Sequence, residues 1–200
     1  MDARREQGFM CGVDRRKSEN LVFENQHCEE KMTLIFYAQP YDISAEGFYF
    51  RSVDEYESQA STLRNSHGQK VEEFEIQFID GETIDCELAK VWGLNQSDIA
   101  RYFEAATDWD DDQKIRFIIA VGECGYSHSQ LSDDPEDIEI DIYELDSLKE
   151  LAYQFVEEGL FGDIPERIQH YLDYDAIARD LGIDYSETTI NSTNLIYRCA

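Results

Sequence analysis

Apolar positions along this chain change period several times, and the changes outline its elements. Thr33-Leu34-Ile35-Phe36-Tyr37-Ala38 reads as a buried strand and Gly47-Phe48-Tyr49-Phe50 as a second. Val53 to Leu63 has the makings of a short helix. Phe74, Ile76 and Phe78 alternate with Glu73, Glu75 and Gln77, the period-two pattern of a strand with one wet face, and Asp80-Gly81 supplies the turn after it. From residue 86 to 132 the spacing is helical. Ile99, Tyr102, Phe103 and Ala106 share one face behind a cap at Ser97 or Asp98. Asp112 is placed to cap a helix carrying Ile115, Ile118 and Ile119, which Gly122 and Gly125 break.

The alternation returns at Ile138, Ile140 and Ile142, interleaved with Glu139, Asp141 and Tyr143, and predicts a strand. Asp146 or Ser147 caps a helix in which Leu148, Leu151, Ala152, Phe155 and Val156 form one stripe, ended by Gly159. Pro165 suits the first turn of the next helix, with Ile168, Tyr171 and Leu172 inward. Asp175 is a cap for a last helix ending at Gly182, before a strand from Thr188 to Arg198. These elements predict an α+β protein of three small domains: a β-rich N-terminal α+β domain (32–85), a helical central domain (86–132) and a C-terminal α+β domain (133–200). Residues 1–31, with seven acids, six bases and the single apolar patch Leu21-Val22-Phe23, read as a flexible N-terminal extension.

Charge changes the picture. The 200 residues hold 44 Asp and Glu against 17 Lys and Arg, a formal net charge of -27, with 42% hydrophobic residues. The apolar content is sufficient for a packed core, so the acids decorate a fold. Such a surface binds neither nucleic acid nor an anionic membrane, because phosphate recognition requires clustered cations. No run approaches the roughly 18 apolar residues of a membrane span, and the N-terminal stretch shows no apolar h-region, so no secretory signal is expected. The five cysteines are odd in number and widely spaced, which suggests reduced, structurally inert thiols in a cytoplasm.

The acids are clustered. Seven lie between Lys70 and Lys90 without a base, among them Glu72, Glu73 and Glu75. Nine lie between Arg116 and Lys149, eight of them in residues 133–146: Asp133, Asp134, Glu136, Asp137, Glu139, Asp141, Glu144 and Asp146. Asp108, Asp110, Asp111 and Asp112 form a third group. Close like charges destabilise the compact state, so the clusters exceed what solubility requires. An EF-hand is rejected, since Gln113 and Ile119 stand where its loop needs Gly and Glu. His27-Cys28 lacks two further zinc ligands at matching spacing, so no metal or other cofactor is expected. His67, His128 and His170 are isolated, and no nucleophile elbow, Walker or dinucleotide-binding motif occurs, which points away from an enzyme. A third use of such clusters, beside a solvated face and loop-borne divalent binding, is imitation of phosphates, which the charge density permits. At about 1.7 Å of duplex per charge, the 37 acids of residues 32–200 would match roughly 63 Å of DNA.

The run Leu148-Lys149-Glu150-Leu151-Ala152-Tyr153-Gln154-Phe155-Val156-Glu157-Glu158-Gly159-Leu160-Phe161-Gly162-Asp163-Ile164-Pro165 continues into Ile168–Leu181, with Tyr171-Leu172-Asp173-Tyr174 and Arg179-Asp180-Leu181 at its core. It resembles the ArdA antirestriction family over about residues 34–198. The family's N-terminal Gly-x-Trp strand appears as Gly47-Phe48-Tyr49. The resemblance implies an elongated, curved α+β protein that dimerises and imitates bent B-form DNA. Its partner would be the methyltransferase core of a type I restriction-modification enzyme, in the cytoplasm of a host bacterium receiving a plasmid, transposon or phage. Dimer contact would pass through the C-terminal strand, at Ile138, Ile140, Ile142 and Tyr143. The phosphate mimics would be Glu72, Glu73, Glu75, Asp108, Asp110, Asp111, Asp112, Asp133, Asp134, Glu136, Asp137, Glu139, Asp141 and Glu144. Two alternatives stay open: a mimic aimed at another DNA-binding system such as a CRISPR effector, and an acidic divalent-cation-binding or interaction domain.

Overall fold

The computed structural model describes residues 33–128, 131 and 134–199. The N-terminal extension, Cys11, Cys28 and Asp133 therefore lie outside the described residues. The fold is α+β, built from two small antiparallel sheets and the helices between and beside them. Strands β1 (Ile35–Pro40), β2 (Phe48–Phe50) and β3 (Phe74–Asp80) form the first sheet in the order β2-β1-β3. Strands β4 (Ile140–Tyr143), β5 (Ser186–Ile190) and β6 (Thr193–Cys199) form the second in the order β4-β6-β5.

In the first sheet, alternate β1 residues Phe36 and Ala38 are fully enclosed. Phe36 collects Phe50, Phe78, Tyr102 and Phe103 at ring separations of 5.0 to 5.6 Å. Gly47 precedes β2 because its backbone passes against β1: a Cβ there would stand 2.4 Å from the Ala38 carbonyl oxygen. Helix α1 (Val53–Thr62) is capped by the Ser52 hydroxyl.

Four helical pieces follow: α2 (Thr83–Trp92), α3 (Ile99–Asp108), α4 (Asp111–Ile118) and a π-helical turn over Ile119–Glu123. Helix α2 starts three residues ahead of the helical stretch expected from residue 86. Ile99, Tyr102, Ala105 and Ala106 are the buried face of α3, while Phe103 is half-buried. Helix α4 is capped two residues earlier than expected, by Asp110, whose carboxylate accepts from the Gln113 amide in a capping box. Its inward face includes Lys114 beside Phe117 and Ile118, a charge that an apolar template passes over. The chain runs through Gly122 as π-helix and stops at Cys124.

Beyond a 3₁₀ turn at Pro135–Asp137, the C-terminal half holds α5 (Leu148–Glu157), the single turn α6 (Glu166–Gln169) and α7 (Tyr174–Leu181). Ser147 caps α5 as expected; Asp173, two residues before Asp175, caps α7. Ile138 belongs to the end of the 3₁₀ turn, so β4 is shorter than the Ile138–Tyr143 alternation suggested. Tyr171 and Ile168 are exposed instead of inward, because one turn of helix presents no continuous face to a core. The strand expected over Thr188–Arg198 is a hairpin, with Asn191 and Ser192 both at positive φ, as a two-residue turn of right-handed twist demands.

The main core runs from Phe36 to Tyr197 and takes in both sheets and the central helices. A smaller cluster of Leu151, Phe155, Tyr185 and Ile196 lies under α5. Strand β6 faces both, which explains three consecutive buried residues, Leu195, Ile196 and Tyr197. The cysteines depart from the expected free thiols. Cys124 and Cys199 are joined as a disulfide with Cα atoms 5.8 Å apart, whereas Cys86 is free. A separation of 75 residues hides such a pair from any spacing rule.

Candidate target-binding surface

Three acids of the first cluster, Glu72, Glu73 and Glu75, sit where β3 begins; Asp80 ends that strand, and Asp85 and Glu87 lie in α2, Asp85 buried. Gln96, from the loop before α3, accepts from the Phe74 amide at 3.0 Å and donates to the Glu72 carbonyl. The Tyr41 amide donates to the Glu73 carbonyl. Backbone ties on both sides thus fix Glu72, Glu73 and Glu75, whose side chains are all exposed. Glu72 lies 3.8 Å from Lys70, a loose surface pair that salt would screen.

The second cluster is the start of α4. Asp110 is its cap, and Asp111 and Asp112 occupy its first turn, where carboxylates are favoured by the unsatisfied amides and the helix dipole. Their sequence spacing thus has a local explanation, and the same geometry leaves all three exposed. Asp108, at the end of α3, is exposed and lines a shallow groove of about 330 Å³ together with Asp54 and Glu104. Glu104 and Asp108 share a helix face at i and i+4, a pairing readable from sequence. Asp54 arrives from α1, which only the fold could reveal.

The third cluster surrounds β4. Asp134 starts the 3₁₀ turn by accepting from the Glu136 amide. The Arg116 guanidinium, reaching from α4, donates to the carbonyls of Ile138 and Ile140 at 3.0 and 2.8 Å and fastens this segment to the helical layer. Glu136, Glu139 and Asp141 then line one groove of about 740 Å³ with Arg116, Asp184 and Arg198. Asp141 is half-buried and held by Arg198 through a two-nitrogen contact across the β4–β6 ladder, and it raises the guanidinium pKa further. Glu144 opens onto a neighbouring groove with Asp146 and Glu150. Asp134, Glu136, Asp137, Glu139 and Glu144 are exposed. Asp184 and Glu150 are additions that the sequence clusters alone did not single out.

The residues expected at a dimer contact are placed differently from one another. Ile138 and Ile140 are buried in the main core, Ile142 packs against it, and Tyr143 packs on Phe155 and Tyr185. Among the described residues β4 has one strand neighbour, β6, which leaves its other backbone edge without a strand beside it. Among the described residues no group of three or more His, Cys, Asp or Glu is arranged to hold a metal ion. No helix among them is long and apolar enough to cross a membrane.

The fold is a small α+β scaffold that displays acids from a strand start, a helix start and a sheet edge. A family comparison makes the assignment definite: the antirestriction protein (ArdA) family matches residues 24–194, and the chain belongs to it. Antirestriction proteins act against restriction-modification systems. The match begins at Glu24, within the stretch read from sequence as an N-terminal extension and ahead of the resemblance seen from about residue 34. A comparison with curated proteins gives no match.

Proposed function

We propose that this chain is a DNA mimic that occupies the DNA channel of a type I restriction-modification enzyme, at its methyltransferase core, and blocks restriction and modification of incoming DNA. The observation that carries the reading is the exposure of the carboxylates. Every described acid expected to face the target, except the half-buried Asp141, is exposed, whereas Asp85 of the first run is buried against Lys114 and Glu82 and Glu87 are half-buried. Meanwhile Lys114 is enclosed, Arg116 is engaged by main-chain carbonyls, and Lys149 lies 2.8 Å from Asp175. Anions fixed on a scaffold face outward while several cations turn inward or across to a partner, which is the charge pattern a clamp for duplex DNA would accept.

The unpaired edge of β4 supports a homodimer joined there through main-chain hydrogen bonds. Two copies about a two-fold axis would lengthen the acidic surface. The segments 32–85, 86–132 and 133–200 would then each carry one acid cluster to the target.

Competition decides the matter. The purified chain should displace duplex DNA from a type I methyltransferase at low salt, with potency falling steeply as salt rises. Retained DNA binding at low salt with excess protein would end the proposal. Sedimentation of the full chain should give twice the monomer mass, and a monomer at micromolar concentration would remove the dimer.

A further inference from the structure

We infer that Cys124 and Cys199 are an exchangeable thiol–disulfide couple, a clasp that an oxidant closes and a dithiol opens. Cys124 follows the π-helical turn, and Cys199 ends β6, the central strand of the second sheet. The bond therefore ties the helical layer to the strand that both β4 and β5 depend on. Cys199 is exposed and Cys124 half-buried, so neither residue of the pair is sealed inside the core. Accessible disulfides are the labile ones, whereas sealed ones resist reduction. In a compartment rich in thiols most such pairs stand open, which makes this couple a responder to oxidant and not a permanent brace.

Opening the clasp leaves other ties in place. Tyr197 donates to Glu123 at 3.4 Å, next to Cys124, and Arg116 keeps its two carbonyls at Ile138 and Ile140. Cys199 itself lies opposite Ile140 in the β4–β6 ladder. The reduced chain thus keeps its fold and loosens where β6 ends and β4 begins.

Closure proceeds by exchange with a small-molecule disulfide of the glutathione type. One protein thiolate attacks it, forming a mixed disulfide and expelling one small thiolate. The other protein thiolate attacks the protein-bound sulfur, forms the Cys124–Cys199 bond and expels the second. Two electrons have passed to the small disulfide, which leaves as two thiols, and a dithiol reverses each step.

The test uses the full chain, equilibrated across ratios of oxidised to reduced glutathione, alkylated under native conditions and mapped by peptide mass. Cys124 and Cys199 should lose alkylation together at one ratio, while Cys86 gives an internal comparison. Amide exchange in the last residues of β6 and at Ile140 should slow on closure. Closure should raise Tm by about 10 °C, and Cys124→Ser or Cys199→Ser should abolish that rise. Three outcomes overturn the inference: independent alkylation of the two thiols at every ratio, pairing of either with Cys11 or Cys28, or a bond that excess dithiol cannot open in the native chain.

Discussion

Lys114 Nζ stands 2.6 Å from Asp85 Oδ1, with the two side chains only 2% and 3% exposed, and this pair joins α4 to α2 inside the core. The Tyr102 hydroxyl donates to the Asp85 carbonyl at 2.7 Å, so α3 is drawn to the same point. Burial, reinforced by the neighbouring Asp85 and Cys86, pushes that phenol well above its ordinary range and keeps it a donor. A buried pair adds little beyond what apolar residues of equal volume would give, yet breaking it strands a charge. Lys114→Met or Asp85→Leu alone should cost about 3–5 kcal/mol in urea unfolding. The double variant should recover most of that loss, and failure to recover would mean the pair contributes through geometry rather than mutual neutralisation.

Asp42 yields a pH dependence. The Ser44 hydroxyl, the Asn65 amide and the Ser44 backbone N–H all donate to its carboxylate and lower its pKa from 3.8 to about 2. A depressed carboxyl pKa stabilises the fold above the unfolded value and loses that contribution as pH falls through the folded one. The Tm difference between the native chain and Asp42→Asn should be greatest above pH 4 and shrink towards zero as pH approaches 2. A constant difference across that window would contradict the hydrogen-bond geometry.

Gly47 is required by proximity. Alanine there would place a methyl 2.4 Å from the Ala38 carbonyl oxygen and 2.5 Å from the Tyr37 ring. Tyr37 pairs with Tyr49, and both must shift for β2 to stay on β1. Gly47→Ala should cost about 1–3 kcal/mol, read as a lower urea midpoint with an unchanged slope.

The acidic surface should behave as a sum of weak terms. An exposed charge pair is worth about 0.2–1 kcal/mol, so Glu73→Gln or Asp111→Asn alone should change inhibition of a methyltransferase by about twofold. Neutralising Glu73, Glu75, Asp111, Asp112, Glu139 and Glu144 together should weaken it at least about tenfold and flatten the salt dependence. A single substitution with the full effect would point to a localised site instead of a mimicked backbone.

Much of the local structure was legible in sequence because it depends on neighbours in the chain. The alternation at Phe74, Ile76 and Phe78 became β3, and the Leu148–Val156 stripe behind Ser147 became α5. Caps slipped by two residues at α4 and α7 because several carboxylates lie within reach of each helix start, and only backbone geometry selects among them. The turn at Asn191-Ser192 lacks the glycine that usually marks a tight hairpin, so two strands read as one.

The chain's order of residues alone determined the α+β class, the acidity and its clustering, and the family, since these reside in composition, period and local motif. Tertiary structure alone decided that Lys114 faces Asp85, that Cys124 meets Cys199, that Asp54 joins Glu104 and Asp108, and that Ile138 and Ile140 point into the core. Each of those facts joins positions far apart in sequence or depends on which face of an element is covered. Periodicity records only that a residue has a side, and packing decides what lies against it.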